Sequence, residues 1–376
     1  CLTTYSEEPV ILFESLMVLG NVAVMPLITE MLVARGIVGM SLDILTRFYD
    51  QRNVMLSVTY LLLNVSASKV AREQILEMNG EKLVLDYYAT NNYEEDEEVT
   101  TNVMGCMSGF CEDASLLQSY LDLDGCSLTL KTFDRYKSSD GVVYYCVELI
   151  VKICLYDERH HTEHRDLFDQ DRVRIYYECL ETFKSRTRVI VVLLRLLALL
   201  AKDPAIASLL VDLGIAEVIC DGFSYYEDRR RVLIPMMQLA TVVAEADENK
   251  QVLLGDDVVR LALASLDAYR SDAEVVAANL EFHVVMSRAS LCYAAYEATG
   301  CVELTLDLLA EHQEEVSVCR PGLLLLLNLA ARDTRCERYN NERALKAILS
   351  VLRIHGDHEL LQTIGCQLLE VLCSHS

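Results

Sequence analysis

The chain has 376 residues, 52% of them hydrophobic, with 14 cysteines and a formal net charge of −24 at pH 7. That charge argues against nucleic acid as a general partner, because neutralising phosphates takes clustered Lys and Arg; it suits basic protein partners or simple solubility. The apolar runs Val189–Ala201, interrupted by Arg195, and Leu323–Ala331 fall short of the ~18 consecutive apolar residues that a membrane-spanning helix needs.

The cysteines form no Cys-x-x-Cys pair, and Cys106, Cys146, Cys154, Cys179 and Cys366 sit in apolar helical runs, where thiols behave as small hydrophobes. A reducing intracellular setting, cytoplasmic or nuclear, is expected. No basic segment followed by an apolar stretch marks a signal peptide. The chain opens on Cys1 and not on Met, so the native N-terminus is expected to lie upstream.

Two landmarks recur in phase along the chain. One is a small or acidic residue that opens a helix: Gly36, Gly80, Gly125, Asp171, Gly214, Asp256, Gly300 and Glu342. The other is a fixed point in a more apolar helix: Asn21, Asn64, Ser108, Lys152, Ala198, Thr241, Val284, Asn328 and Glu370. The second series advances by 43, 44, 44, 46, 43, 43, 44 and 42 residues, which predicts stacked helical repeats. A partial repeat at 1–24 precedes repeats at about 25–68, 69–113, 114–159, 160–204, 205–249, 250–290, 291–334 and 335–376, all in one solenoid.

Each period reads as a short first helix, a turn, a second helix, a polar loop and a longer third helix. The stretch 203–219 shows this well: Pro204 suits the first helical position, and Gly214 permits the chain reversal that ends the short helix. Apolar residues at helical spacing place second helices at Ile37–Phe48, Val84–Tyr88, Leu128–Phe133, Val173–Phe183, Val258–Tyr269, Val302–His312 and Ala344–Ile354. Third helices are more apolar all round, as in Leu56–Val65, Val189–Ala201 and Leu323–Ala331. Both ends, Val10–Val24 and Leu360–Cys373, stay apolar where a solenoid normally turns polar. They are expected to continue into further chain or to be covered by a partner.

A three-helix unit with glycine before the second helix and Leu-x-Asn-apolar in the third resembles the armadillo repeat. Leu62-Leu-Asn64-Val-Ser, Leu326-Leu-Asn328-Leu-Ala and Leu19-Gly-Asn21-Val-Ala carry the resemblance, which covers almost the whole chain. It implies an all-α, right-handed solenoid of three-helix repeats; the two-helix HEAT repeat, which lacks the recurrent glycine, is the alternative architecture. It also implies a groove lined by third helices, in which a ladder of asparagines binds an extended peptide.

Here the ladder holds only at Asn21, Asn64 and Asn328, and Tyr60 is the one aromatic residue four places before a rung. The chain has no tryptophan, which argues against the nuclear-import adaptor mode of recognition. The same asparagines are equally suited to tying adjacent repeats together.

A basic cluster stands out against the acidic background. Arg188 and Arg195 are seven residues apart and share one helix face, and Arg231 is the repeat equivalent of Arg188, 43 residues on. Lys184, Arg186, Arg229 and Arg230 crowd the same loop edge. Guanidinium groups pair well with carboxylate and phosphate, so the cluster is a candidate receptor for an acidic or phosphorylated segment. Against that stands a solvated loop balanced by Glu227 and Asp228. The run 94–98 (Glu-Glu-Asp-Glu-Glu) reads as a mobile, solvated insertion, or alternatively as a means of steering basic ligands or a segment that folds back on the arginine cluster.

His160 and His164 are spaced to share a helix face and grip a metal, but Glu163 stands outside the His-Glu-x-x-His order, and the repeat register places the segment on an exposed first helix. No metal site or cofactor is expected, and no nucleotide-binding, hydrolase or kinase signature occurs. The expected function is a non-catalytic protein-interaction scaffold or adaptor. Regulation of a small GTPase or chaperone, and a structural place in a cytoskeletal or ciliary assembly, are the alternatives.

Overall fold

The computed structural model describes residues 2, 4–5, 7–160, 164–255, 257–332 and 341–374. Among them every regular element is helical, and the helices recur in three classes. First helices are α2 (Pro26–Ala34), α5 (Lys69–Glu77), α8 (Ala114–Asp122), α13 (Pro204–Asp212), α16 (Asp247–Gly255) and α19 (Tyr293–Ala298). Second helices are α3 (Ile37–Arg47), α6 (Gly80–Thr90), α9 (Gly125–Arg135), α11 (Gln170–Thr182), α14 (Ile215–Tyr225), α17 (Val258–Ala268), α20 (Cys301–Glu311) and α22 (Glu342–Ile354). Third helices are α1 (Pro9–Val22), α4 (Arg52–Val65), α7 (Glu97–Phe110), α10 (Asp140–His160), α12 (Thr187–Leu200), α15 (Arg230–Val243), α18 (Ala273–Ser287), α21 (Val316–Ala330) and α23 (Glu359–Ser374).

The chain forms two compact units, Cys1–Leu196 and Leu197–Ser376. In the first, α1, α4, α7 and α10 pack in succession, third helix on third helix; in the second, α15, α18, α21 and α23 do the same. Continuous burial explains why third helices read as apolar all round: Val54, Met55, Val58, Leu61, Leu62 and Val65 of α4 are all fully buried.

Local chemistry sets the helix starts. Pro26 and Pro204 open α2 and α13. Asp96, Asp113, Asp169 and Asp203 cap α7, α8, α11 and α13 by accepting backbone N–H groups of the first turn.

The recurrent glycine stands at the start of the second helix, as foreseen, and Gly80 and Gly125 are the first residues of α6 and α9. Gly36, Gly214 and Gly300 do take positive φ (75°, 92° and 66°), but at Gly80 and Gly125 the left-handed residue is the one before, Asn79 (50°) and Asp124 (59°). Asn and Asp tolerate that conformation because their short polar side chains bond locally. Gly125 is required by packing: a Cβ there would lie 2.4 Å from the Tyr120 ring. The residue foreseen at Asp256 lies outside the described residues, and its neighbour Asp257 has φ 62°.

The repeat at 160–204 departs from the pattern. In place of a separate first helix, α10 runs on for 21 residues to His160, and a 3-10 turn at Arg165–Leu167 leads into α11. The buried Asp157 fixes this return, accepting from the His164 backbone N–H at 3.0 Å and lying 2.9 Å from its Nδ1. His160 therefore ends a third helix, with its Nδ1 2.9 Å from the Tyr156 carbonyl oxygen, and does not sit on an exposed first helix as the register suggests. His161, Thr162 and Glu163 lie outside the described residues.

Adjacent repeats are also stitched where the second helices end. Asn91 donates to the Tyr49 carbonyl (3.1 Å), Tyr136 to Glu94 (2.9 Å), Tyr269 to Glu227, His312 to Arg270 (2.6 Å) and His355 to Gln313 (2.9 Å). Each rung reaches back 42 residues. A carbonyl only accepts, so the histidine Nε2 atoms carry the hydrogen. Apolar side chains at the chain ends stay exposed: Val10 and Leu27 are each 74% accessible.

Candidate binding face on the third helices

The ladder positions tie repeats together. Asn64 Nδ2 donates to the Gly20 carbonyl at 3.1 Å, and Asn328 Nδ2 donates to the Val284 carbonyl at 3.3 Å and to Ser287 Oγ at 2.9 Å. Lys152 breaks the asparagine pattern in sequence yet bridges repeats in the same way, its Nζ donating to the carbonyl and the Oγ of Ser108, each at 2.8 Å. Asn21 Oδ1 accepts from the Tyr60 hydroxyl at 3.0 Å. Gly20 makes room for that tyrosine, since a Cβ there would stand 2.6 Å from the ring. Both N–H groups of Asn328 and one of the two on Asn64 are thus committed to the fold, and their Oδ1 atoms carry no bond among the described residues.

The basic cluster divides between the units. In residues 1–196, the Arg188 guanidinium carbon lies 3.6 Å from the centre of the Tyr144 ring and 5.1 Å from that of Tyr145. Burial works against its charge, but contact with the two phenol groups outweighs this, and its pKa is raised. Burial also raises the Tyr144 phenol, which the Arg188 charge partly offsets. Arg195, half exposed, comes within 3.9 Å of Glu148, and Arg186 within 3.4 Å of Asp140. Lys184 pairs with Glu181 at 3.7 Å. Ser185, Arg186, Arg188, Tyr144 and Asp140 line an open cleft of about 310 Å³ at the start of α12.

In residues 197–376, Arg231 occupies the second position of α15, as Arg188 does in α12. It is exposed, with no hydrogen bond or ion pair among the described residues. Arg230 pairs with Asp272 at 3.0 Å and with Glu274, while Arg229 lies 5.9 Å from the Tyr225 and Tyr226 ring centres. The loop-edge cations Lys184, Arg186, Arg229 and Arg230 are therefore engaged locally. The sequence pointed to the arginines but not to the tyrosine pair beneath Arg188; adjacent aromatics at the start of an apolar run were the available signal.

The acidic run at 94–98 is held in place and is not a loose insertion. Tyr93 is buried, and the Glu94 carbonyl accepts from Arg135 Nη1 and the Tyr136 hydroxyl, both at 2.9 Å. Asp96 caps α7, and Arg52 grips it at 2.5 Å and Glu98 at 2.9 Å.

Buried thiols are poor nucleophiles here. Burial pushes Cys154 and Cys301 up to about 12 and Cys179 up to about 11, so thiolate is scarce at neutral pH. Among the described residues no cluster of three His, Cys, Asp or Glu side chains is placed to hold a metal, and no helix is long and apolar enough to cross a membrane.

The sequence matches no family model and no curated protein. The structure is similar to that of the armadillo-repeat protein beta-catenin, in a solved structure described by the words "a conserved phosphorylation switch controls the interaction between cadherin and beta-catenin in vitro and in vivo". The TM-score is 0.67 at 14% identity, over 93% of this chain and 70% of that one. The likeness establishes the fold: an armadillo-type α-solenoid.

Proposed function

We propose that this chain is a non-catalytic scaffold that holds a segment of a partner protein along its third-helix face, and that Arg188 and Arg195 grip carboxylate or phosphate groups of that segment. The observation that carries the reading is the Arg188 guanidinium resting 3.6 Å over the Tyr144 ring. Stacking immobilises the planar cation from one face and leaves in-plane N–H donors for a bidentate anion. Arg195, on the same face of α12, is half exposed and only loosely met by Glu148 at 3.9 Å, so it exchanges partners at small cost. Asn64 adds an amide oxygen that accepts from a bound backbone in the first unit, and Asn328 is the candidate for that role in the second. Arg231 is the candidate for the equivalent role in the second unit. The protein of similar fold is described as interacting with cadherin under the control of a phosphorylation switch, which favours a protein partner here too.

The test is a fluorescence-anisotropy titration with a labelled Glu/Leu peptide bearing one phosphoserine. Two charge-assisted contacts, discounted for the exposure of Arg195, amount to about 2 kcal/mol, or roughly 30-fold in affinity. Arg188→Glu/Arg195→Glu is expected to weaken binding by at least that much. Equal affinity for wild type and variant would remove the basis of the reading.

A further inference from the structure

A second cleft lies on the opposite class of helices, between α6 and α9 in residues 1–196. The second helices α3 and α6, α14 and α17, and α20 and α22 pack on each other, and a space of about 570 Å³ lies between α6 and α9. That volume falls in the range of ~300–1,000 Å³ over which clefts hold ligands or anchoring side chains.

Leu85, Leu123 and Leu128 give the cleft an apolar floor. Asp86, Glu94 and Asp124 stand at its rim with no ion pair among the described residues, against two cations that likewise have none, Lys131 and Arg135. Asp134 is paired with Arg172, while Arg135 donates to the neutral Glu94 carbonyl and keeps its charge, so three free carboxylates face two cations. Those bonds matter to the cleft itself. Arg135 and Tyr136 together hold the Glu94 backbone carbonyl at 2.9 Å, which keeps at the rim the backbone from which this exposed side chain projects.

We infer that the α6–α9 cleft docks a basic–apolar segment of a protein partner, with an aliphatic or aromatic side chain on the leucine floor and Lys or Arg against the rim carboxylates. An apolar anchor surrounded by charge is the usual economy of a small interface: the buried side chain supplies the affinity, and the rim selects the partner. The excess of carboxylate over cation selects a cationic segment, so the site is complementary to a different ligand from the one assigned to Arg188 and Arg195. It stands whether or not that assignment holds.

The probe is a fluorescein-labelled 12-residue peptide, Lys-Leu-Leu-Lys repeated three times, titrated by anisotropy at physiological salt. Asp86→Lys/Glu94→Lys changes two exposed side chains and is expected to weaken binding about tenfold or more. A control with the same change of net charge on α1 and α2, Glu14→Lys/Glu30→Lys, is expected to shift it by less than about threefold. Arg188→Glu/Arg195→Glu is expected to leave it intact. Hydrogen exchange of the wild-type complex is expected to slow in residues 80–90 and 125–135. Equal weakening by both lysine pairs would show general attraction to an acidic chain and overturn the proposal, as would peptide binding that leaves exchange in α6 and α9 unchanged.

Discussion

Replacing Gly125 by alanine separates the two reasons for which a repeat keeps glycine at this turn. Asp124 already takes the left-handed conformation, so φ does not require glycine at 125. The added Cβ would instead meet Tyr120 Cε1 at 2.4 Å, and Cδ1 and the Tyr120 carbonyl oxygen at 2.5 Å. The carbonyl belongs to α8 and moves only with the helix. The ring is fully buried, and its hydroxyl lies 2.8 Å from Thr129 Oγ1. Overpacking of this kind costs about 1–3 kcal/mol, and displacing the ring forfeits the hydroxyl bond, worth about 1 kcal/mol. Alanine recovers about 0.4–1 kcal/mol by restricting the unfolded chain. The net loss is about 2 kcal/mol, which at a urea slope of ~2 kcal/mol/M lowers the midpoint by about 1 M in the transition that melts α8 and α9. Far-UV circular dichroism in urea reads the shift, and Gly255→Ala, where a Cβ meets nothing within 4 Å, is the control, expected to keep or raise the midpoint. An unchanged midpoint in Gly125→Ala would refute the packing account.

Two further outcomes follow from side chains the fold consumes. Lys152→Met keeps the aliphatic stem but removes both bonds to Ser108 and the 3.0 Å pair with Glu112; stability measured in urea is expected to fall by about 1–2 kcal/mol, and no loss would mean that the lysine is not a rung. His283 is fully buried, and burial pulls its pKa down to about 3. Its unfolded value is ~6.5, so between pH 6.5 and 3 the unfolded chain binds the extra proton, and stability falls as pH drops, by up to about 1.4 kcal/mol per unit and not at all above 6.5. His283→Leu is expected to flatten that part of the stability–pH curve; an acid slope equal to that of the wild type would contradict it.

The architecture was legible because burial repeats. Third helices covered on several sides must be apolar all round, and turns that reverse the chain need glycine or its substitutes, so the period shows in single residues such as Asn64 and Asn328. At Gly80 and Gly125 the sequence marked the helix start but not the left-handed residue before it, because a glycine retained for packing looks the same in sequence as one retained for φ. The lost first helix near 160 was hidden because nothing between Asp140 and His160 stops a helix, and the return depends on one buried carboxylate, Asp157. The rungs at Tyr136, Tyr269, His312 and His355 were missed since their partners are backbone carbonyls, which carry no sequence signal. For the proposed binding face, charge contrast drew attention to Arg188 and Arg195, but the stack on Tyr144 depends on a neighbouring repeat.

The most direct test of a third-helix face that receives anionic segments is an unbiased random-peptide display selection on the wild-type chain and on Arg188→Glu/Arg195→Glu. Enrichment of acidic or phosphomimetic peptides on the wild type, lost on the variant, is the predicted result. Acidic peptides enriched equally on both, or no acidic enrichment on the wild type, would contradict it.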